Sequence, residues 1–436
     1  MTMVTCVSFL FLLVSSFYKK IMFIVSFIPF FLLLALHPSP LGGWIGCASS
    51  FFSLMQSFSS YNSSISLMFQ ISILLVVILS LKDFSKNYIF ILMGSLIFYL
   101  TDSWLLFFIS FEFTLIPVFY MVYLWSPAPE RLRASWFLFI YTLIGSLPLF
   151  IVIFAVGKSS FWMFPSCVGL SLFSPAMISM AFLVKMPLYL THSWLPKAHV
   201  EATVEGSVLL AGILLKFGSI GLVRSSSITA WLGLGLVEAL IFSLSLTGSI
   251  LGAMKALLKS DLKKVVAYSS VSHMNMSMIA FLTFKPLSIY GFFLGGIAHS
   301  LSASLMFIIV TLIYKSVGSR NILLIKNNLK LSSEIVLFTL ICWAANMALP
   351  PFLGFISEFI YMKSILIYLP ELFVLLLISM FLTSVYSSMN LSISALSWIS
   401  QSSTYSISKM SWMLSMFTIT FPAVIIILFI NWLLFI

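Results

Sequence analysis

Seven ionisable side chains interrupt stretches of sequence that are otherwise almost entirely apolar. They are Glu112, Lys185, Lys216, Glu238 and Glu358, together with His273 and His299. An ionisable group at the centre of a membrane-spanning helix costs about 2.5–3.5 kcal/mol, so such residues are rare and usually paired. Any one of them could form a structural ion pair. Several distributed along one chain favour a pathway that moves protons or ions.

Buried carboxylates and amines are suited to proton transfer because their surroundings control whether they hold a proton. Loss of water favours the neutral form of such a group, whereas a nearby opposite charge favours its charged form. Movement of one partner therefore changes the proton affinity of the other. The candidates for this exchange are Glu112, Lys185, Lys216 and Glu358.

Histidines provide a second set of candidates. An imidazole titrates near neutrality and can accept a proton at one nitrogen while releasing one from the other. His192, His273 and His299 could form a relay of this kind, although each could equally be a structural histidine with satisfied hydrogen bonds. His192 and His199 could also suggest a metal site, but Pro196 between them disrupts the helical spacing and no HExxH motif occurs. A metal site is therefore not expected.

Two of the charged segments are also interrupted by proline. Pro187 follows Lys185 closely, and Pro350 and Pro351 precede Glu358. A proline inside a membrane helix frees backbone carbonyls, which is tolerated where they line a cavity or face another part of the protein. The two segments resemble the paired broken helices of inverted-repeat transporters. Ordinary proline kinks are the alternative interpretation.

The elements that position these residues must be membrane helices. The 436-residue chain is 61% apolar and 8% charged, whereas soluble domains are about a quarter charged. This composition excludes an ordinary soluble enzyme. The net charge of +11 is explained by basic loops that orient a membrane protein, without nucleic acid. The four cysteines lie far apart without CxxC spacing, which disfavours disulfides, zinc and iron–sulfur clusters. They are Cys6, Cys47, Cys167 and Cys342.

A bilayer crossing needs about 20 mostly apolar residues, and hydropathy predicts fourteen such spans. They lie near residues 3–18, 21–36, 65–81, 87–101, 103–125, 134–157, 171–192, 203–224, 230–252, 262–283, 286–314, 331–360, 365–389 and 414–436. The expected fold is an all-α polytopic membrane protein with broken helices at spans 7 and 12.

Basic residues concentrate on one side of these spans. Sixteen of the 22 lysines and arginines fall after odd-numbered spans, and four fall at even-numbered connections or helix ends. Because positive loops stay on the side from which a protein is inserted, the odd-numbered connections should share that face, and both termini should face the other. Residues 3–18 run almost directly into a second apolar stretch, so no cleavable presequence is expected.

Five blocks of the sequence together resemble the antiporter-like subunits of respiratory complex I. The central block is KMPLYLTHSWLPKAHVEATVEGSVLLAGILLKFGSIGLVR, residues 185–224. The others are SDLKKVVAYSSVSHM (260–274), AHSLSASLMF (298–307), ANMALPPFLGFISEF (345–359), and FEFTLIPVFY (111–120) with PERLRASWFLFIYTLIGSLPL (129–149). The resemblance extends over roughly residues 85–390, and the N-terminal 80 residues match poorly.

The resemblance implies roles for the ionisable residues that are costly to bury in a membrane. Glu112 would pair with Lys185, and Lys216 would continue the path to Glu358. The residues of a connecting water-filled axis would be His192, His273 and His299. Glu238 has no clear counterpart in the family. The resemblance also implies two inverted five-helix repeats, at residues 85–224 and 225–390. N-terminal helices and a surface loop (1–84) would precede them, and a C-terminal loop and last helix (391–436) would follow.

The function implied by the resemblance is that of a proton-translocating membrane-arm subunit of NADH:ubiquinone oxidoreductase. The protein would lie in the mitochondrial inner membrane and move protons from the matrix to the intermembrane space, which both termini would face. It would act as part of a translocase and hold no cofactor itself, since NADH, FMN, iron–sulfur clusters and ubiquinone would belong to the whole complex. Its partners would be other membrane-arm subunits, including antiporter-like neighbours, and inner-membrane lipids, with no nucleic acid.

Two other functions would use the same residues. A stand-alone cation/proton antiporter would share every buried charge. A non-catalytic scaffold or channel would carry these charges only as structural ion pairs.

Overall fold

A computed structural model describes residues 86–101, 103–126, 129–156, 173–229, 235–327 and 333–399. Within these ranges the chain is helical, and no β-strand is formed. The expected spans near 3–18, 21–36, 65–81 and 414–436 lie outside the described residues, as do Cys6, Cys47 and Cys167. The all-α polytopic fold is confirmed, whereas the total of fourteen spans, the two inverted repeats and the division of the chain stay predictions.

The described residues form fifteen α-helices. In chain order they are α1 (Lys86–Leu100), α2 (Trp104–Phe113), α3 (Leu115–Trp125), α4 (Arg131–Val156), α5 (Phe173–Lys185), α6 (Trp194–Glu201), α7 (Val204–Leu209), α8 (Leu215–Thr229), α9 (Gly235–Leu258), α10 (Leu262–Phe281), α11 (Pro286–Val317), α12 (Ile322–Asn327), α13 (Ser333–Asn346), α14 (Leu353–Tyr368) and α15 (Phe373–Ile399). A π-helical turn, Leu210–Leu214, joins α7 to α8, and a 3₁₀ turn, Pro370–Leu372, precedes α15.

Six helical stretches are long and apolar enough to cross a membrane. They are Trp104–Trp125, Arg131–Phe154, Val204–Ser225, Glu238–Leu258, Leu287–Val317 and Pro370–Ile393. These stretches correspond to expected spans 5, 6, 8, 9, 11 and 13. The shorter apolar helices Ala176–Lys185 and Ile335–Asn346 are the first halves of the two spans that were expected to be broken.

The seventh span breaks immediately after Lys185, where α5 ends. Pro187 has no N–H to donate, and a residue that precedes a proline is disfavoured in helical conformation, so the helix stops at this point. The expected limits of this span, 171–192, are wrong because the chain resumes as a second half-helix, α6, which ends at Glu201. Pro196 does not interrupt α6, since it lies in the first turn, where no intrahelical donor is needed.

The twelfth span breaks between Asn346 and Leu353. The intervening segment contains Pro350 and Pro351, and Ala348 has a left-handed backbone with φ of 54°. This conformation is costly for a residue with a Cβ, so the surrounding packing must hold it in place. The second half-helix, α14, carries Glu358 and ends at Tyr368, beyond the expected limit at residue 360.

Glycines allow the helices that carry the buried lysines to pack closely. A Cβ on Gly218 of α8 would lie 2.8 Å from the Met186 side chain and 3.0 Å from its backbone nitrogen. A Cβ on Gly221 would overlap the ring of Phe182 on α5. Small residues at helix contacts are typical of membrane proteins because association there depends on close backbone approach. The Lys216 helix therefore packs directly against the break that follows Lys185.

The connections that follow odd-numbered spans contact one another. Lys263 at the start of α10 donates from Nζ to the Ala202 carbonyl over 2.9 Å, and the Ser126 hydroxyl donates to the Glu201 carbonyl. Backbone hydrogen bonds also join the connections after spans 9 and 11. Connections 5, 7, 9 and 11 thus lie at one end of the helix assembly, as the distribution of basic residues predicts.

Candidate proton-transfer site

Lys216 lies at the beginning of α8, directly after the π-helical turn. Its Nζ donates to the carbonyl of Ala211 in that turn over 2.8 Å and lies 2.9 Å from Nδ1 of His299 on α11. Both side chains are buried, with 4% of Lys216 and 6% of His299 exposed. A π turn widens the helix by one residue and often marks a functional site. The turn supplies the carbonyl that anchors the lysine amine beside the imidazole.

Two further helices extend this contact. The rings of His299 and His273 have centroids 6.3 Å apart, and Nδ1 of His273 on α10 lies 3.7 Å from Oε1 of Glu358 on α14. Lys216, His299, His273 and Glu358 therefore form one series carried by four different helices. Four of the seven predicted site residues are brought together in it. The distance between the two histidine rings requires a side-chain movement or an intervening water for proton transfer.

Tyr386 and Asn346 adjoin this series, and sequence reasoning did not identify either of them. The Tyr386 hydroxyl on α15 lies 3.3 Å from Nε2 of His273, and Nδ2 of Asn346 donates to that hydroxyl over 3.2 Å. Both residues are buried, with 1% and 3% of their surface exposed. The sequence held one clue to Tyr386: a tyrosine buried in an apolar helix usually has a hydrogen-bond partner.

Lys185 and Glu112 are neighbours, but they do not form the direct ion pair that was expected. Lys185 Nζ lies 3.4 Å from the Phe111 carbonyl and 3.5 Å from the centroid of the Phe111 ring. Glu112 is close enough to act electrostatically on the ammonium, although its Oε1 has no hydrogen-bond partner among the described residues. The ammonium instead rests against the carbonyl and ring of the residue that precedes Glu112.

The break in the seventh span leaves backbone carbonyls without helical partners, and side chains from nearby segments donate hydrogen bonds to them. The indole Nε1 of Trp194 donates to the Val184 carbonyl over 3.0 Å. The Asn275 amide on α10 donates to the Pro187 carbonyl over 2.9 Å. Backbone groups without a partner are costly in a membrane interior, so these bonds allow the helix to remain interrupted. The break that holds Lys185 is therefore a hydrogen-bonded structure.

Two predicted residues lie apart from the series. The Nδ1 of His192 contacts the Tyr189 carbonyl, and its ring stacks on Tyr189 with centroids 5.0 Å apart. Among the described residues, the structure does not place it against Lys216 or another histidine. Glu238 was expected in the middle of span 9, but it lies in the first turn of α9, because that helix begins at Gly235. A carboxylate is favoured at this position by the helix dipole.

His199 is fully buried on α6, and its ring stacks on Phe307 with centroids 4.7 Å apart. Neither ring nitrogen has a hydrogen-bond partner in the described part of the chain. Within that part, no cluster of three or more histidine, cysteine, aspartate or glutamate side chains is arranged to hold a metal ion.

Glu201 lies at the end of α6, on the face formed by the odd-numbered connections. Burial raises the pKa of its carboxyl above the ordinary 4.5, and nearby Glu130 adds to this effect. Arg320, Lys263 and Lys264 oppose it. Since burial dominates, the Glu201 carboxyl holds its proton more tightly than a fully solvated glutamate does.

Comparison with known protein families identifies a transmembrane domain that covers most of the described region. The model for the transmembrane domain of the NADH:quinone oxidoreductase/Mrp antiporter family matches residues 101–383. A relative from Lumbricus terrestris, named NADH-ubiquinone oxidoreductase chain 4, is 35% identical over 317 residues, which cover 70% of this chain and 69% of the relative. Relatives of the same name from Locusta migratoria and Aedes aegypti are 36% and 38% identical. The matched regions span 64% and 59% of the length of these two relatives.

Solved structures share the fold at low sequence identity. A chain of respiratory complex I from Thermus thermophilus with bound NADH aligns with a TM-score of 0.79 and 18% identity, covering 95% of this chain and 91% of its own. A chain of the Mrp complex from Dietzia sp. aligns with a TM-score of 0.70 and 20% identity, covering 83% and 42%. With the family model matching well over half of its length, the chain belongs to the NADH:quinone oxidoreductase/Mrp antiporter transmembrane family.

Proposed function

We propose that this protein is a proton-translocating membrane-arm subunit of an NADH:ubiquinone oxidoreductase. One observation carries the proposal: Lys216, His299, His273 and Glu358 form a series through the buried part of the helix assembly. Residues of these types can bind and release protons. The four residues come from four different helices and still meet in one place. A shared proton path explains this arrangement better than a separate structural role for each residue.

The series assigns a step to each side chain. The Lys216 ammonium can give a proton to Nδ1 of His299 across their 2.9 Å contact, which leaves a neutral amine and an imidazolium. His299 then passes a proton toward His273 by movement or through a water molecule. Finally, Nδ1 of His273 delivers a proton to the Glu358 carboxylate, which becomes a carboxylic acid. Each transfer moves one proton and changes the charges of two neighbouring groups, so the steps are electrostatically coupled.

Lys185 and Glu112 form a second group that can control the first. Lys185 rests against the Phe111 carbonyl and ring, at the break that packs directly against α8. A change in the charge of Lys185 or Glu112 would alter the field at Lys216 because a membrane interior screens charges weakly. Movement of the broken helix would then bias the proton affinity of Lys216.

The wider context follows from relatives named NADH-ubiquinone oxidoreductase chain 4. The protein would reside in the mitochondrial inner membrane, with its basic connections toward the matrix and both termini toward the intermembrane space. Neighbouring membrane-arm subunits and inner-membrane lipids would surround it. NADH, FMN, iron–sulfur clusters and ubiquinone would bind elsewhere in the complex, so this chain would contribute to a translocase without catalysing electron transfer itself.

The test uses the assembled complex carrying Lys216→Met in sealed vesicles. Proton uptake per NADH oxidised should fall about tenfold or more, a conservative expectation for loss of an acid–base group. NADH oxidation with an artificial electron acceptor should be unchanged. Lys363→Met is the matched control, because Lys363 is an exposed lysine on α14. Normal pumping by an assembled Lys216→Met complex, or by Glu112→Gln, would favour a structural scaffold instead.

A stand-alone cation/proton antiporter is the second candidate function. The match to a family that includes Mrp antiporters and the likeness to the Mrp complex support it. Vesicles containing the protein, without NADH or quinone, separate the two candidates when a sodium gradient is imposed. Sodium-dependent proton flux would establish antiport, whereas flux that requires NADH and quinone would establish the oxidoreductase subunit.

A further inference from the structure

The side chain of Tyr386 connects the two half-helices of the twelfth span to the proton-transfer series. Its hydroxyl lies between Nδ2 of Asn346, at the end of α13, and Nε2 of His273 on α10, at 3.2 and 3.3 Å. The opposite ring nitrogen of His273, Nδ1, faces Glu358 at 3.7 Å. Glu358 therefore lies just beyond direct hydrogen-bond distance of Nδ1, and Asn346 also hydrogen-bonds His273.

The chemistry of these partners limits the possible directions of the hydrogen bonds. An amide NH₂ group can only donate, so the bond from Asn346 occupies an acceptor position of the Tyr386 oxygen. The phenol retains its own proton to donate, and Nε2 of His273 is at hydrogen-bond distance. The hydroxyls of Ser269 and Ser272, on the His273 helix, donate to carbonyls of that helix over 2.8 Å. Both serines also hydrogen-bond the Tyr386 side chain.

We propose that Asn346 and Tyr386 set the tautomer of His273, so that its proton resides on Nδ1, facing Glu358. A neutral imidazole that accepts at Nε2 must carry its hydrogen on Nδ1. In this arrangement the Tyr386 hydroxyl donates to Nε2, and the N–H on Nδ1 lies on the side of Glu358, whose Oε1 is 3.7 Å away. Tyr386 and Asn346 are positioning residues in this arrangement, since they act through His273.

The tautomer determines the direction in which a proton leaves His273. With hydrogen on Nδ1, the imidazole already presents a donor to the Glu358 carboxylate, and a proton arriving from His299 enters at Nε2 when the Tyr386 hydroxyl turns away from it. In the opposite tautomer a bare Nδ1 would face that carboxylate, and two acceptors would repel each other. This inference rests on the proposed function, but the tautomer itself can be measured independently of pumping.

The experiment compares the assembled wild-type complex with its Tyr386→Phe, Asn346→Leu and Ser277→Ala variants. Infrared difference spectra with ¹⁵N-labelled histidine report the tautomer, and the His273→Gln variant identifies the band of this residue. The phenylalanine variant keeps the buried ring, so assembly should be preserved. We expect the His273 band to move to the position of the Nε2–H tautomer in Tyr386→Phe, and part of the population to move in Asn346→Leu. Ser277→Ala should leave the band in place, because that hydroxyl donates to the Met274 carbonyl of its own helix.

Proton pumping provides the second readout. Protons pumped per NADH should fall about tenfold in Tyr386→Phe, within the range attributed to a positioned proton donor. Tyr268→Phe, which removes a different tyrosine hydroxyl on α10, is the matched control and should pump normally. An unchanged band in Tyr386→Phe, or a shift in Ser277→Ala, would overturn the proposal.

Asn346→Leu gives an independent answer if the phenylalanine variant does not assemble. An unchanged His273 band in an assembled Asn346→Leu complex would then overturn the proposal. The outcome is also separable from the proposed function. If Lys216→Met abolishes pumping while Tyr386→Phe changes neither band nor pumping, only the inference about the tautomer fails. If Lys216→Met pumps normally, the proposed function fails regardless of the His273 tautomer.

Discussion

The Asn275 amide on α10 donates a 2.9 Å hydrogen bond to the carbonyl of Pro187, inside the break of the seventh span. The two residues are 88 positions apart in the chain. This bond joins a continuous helix to the point where the Lys185 helix stops. Asn275 also donates to the Val271 carbonyl of its own helix over 2.7 Å, so its amide bridges two segments and holds the interruption in place.

Asn275→Leu should destabilise the break. The substitution keeps the side-chain volume but leaves the buried Pro187 carbonyl without this donor, which costs about 1–3 kcal/mol. The midpoint of thermal unfolding of the purified complex measures the effect. Ser277→Ala is the control, because that hydroxyl donates only to the Met274 carbonyl of its own helix, and its removal should change the midpoint much less. Equal midpoints for the two variants would contradict this account of the break.

Two adjacent glycines of α11 should differ sharply in their tolerance of alanine. A Cβ on Gly295 would overlap the hydroxyl of Tyr361 on α14, whereas the nearest neighbour of a Cβ on Gly296 is Ser219 Oγ at 4.0 Å. Overpacking typically costs about 1–3 kcal/mol, so Gly295→Ala should lower the thermal midpoint and Gly296→Ala should not. If both variants unfold at the wild-type temperature, α11 and α14 do not pack as closely as the Gly295–Tyr361 contact indicates.

His299→Gln should interrupt the series at its second member. The amide can still accept a hydrogen bond from Lys216, but it cannot take up and pass on a proton as an imidazole does. Proton uptake per NADH should decrease about tenfold or more, with normal assembly. Ser304→Ala is the matched control on the same helix, since Ser304 donates to the Leu301 carbonyl. Retained pumping in an assembled His299→Gln complex would remove this histidine from the path.

The stability of the odd-numbered face should depend on pH through Glu201. Burial raises the pKa of this carboxyl above 4.5, so the folded protein binds more protons than the unfolded chain between the two pKa values. Its stability therefore falls as pH rises through that window and stays lower above it. Glu201→Gln should consequently unfold at a higher temperature than wild type at pH 8, and the difference should shrink in acid.

Thermal midpoints at pH 5, 7 and 8 measure this dependence. Glu371→Gln serves as the control for loss of an exposed carboxylate. A Glu201→Gln variant that is less stable than wild type at pH 8 would show that attraction from Arg320, Lys263 and Lys264 outweighs burial.

Patterns of local chemistry made much of the architecture predictable. A continuous apolar stretch of about 20 residues in a chain with few charges indicates a membrane helix, because a helix satisfies all its backbone hydrogen bonds within the segment. Pro187 and the pair Pro350 and Pro351 marked both breaks, since proline removes a donor wherever it occurs. Helix ends were less predictable. Proline near a break looks the same in sequence whether it stops a helix or, like Pro196, begins one.

The sequence by itself determined which side chains are expensive to bury, and hence that Lys185, Lys216 and Glu358 needed an explanation. Only the tertiary structure decided which of them meet. Residues 83 positions apart approach to 2.9 Å in the Lys216–His299 contact, while Lys185 faces Phe111 and Glu238 lies at a helix start. The reason is physical. The cost of burying a charge is a property of one residue, whereas the partner that offsets it depends on how helices distant in sequence rotate and pack.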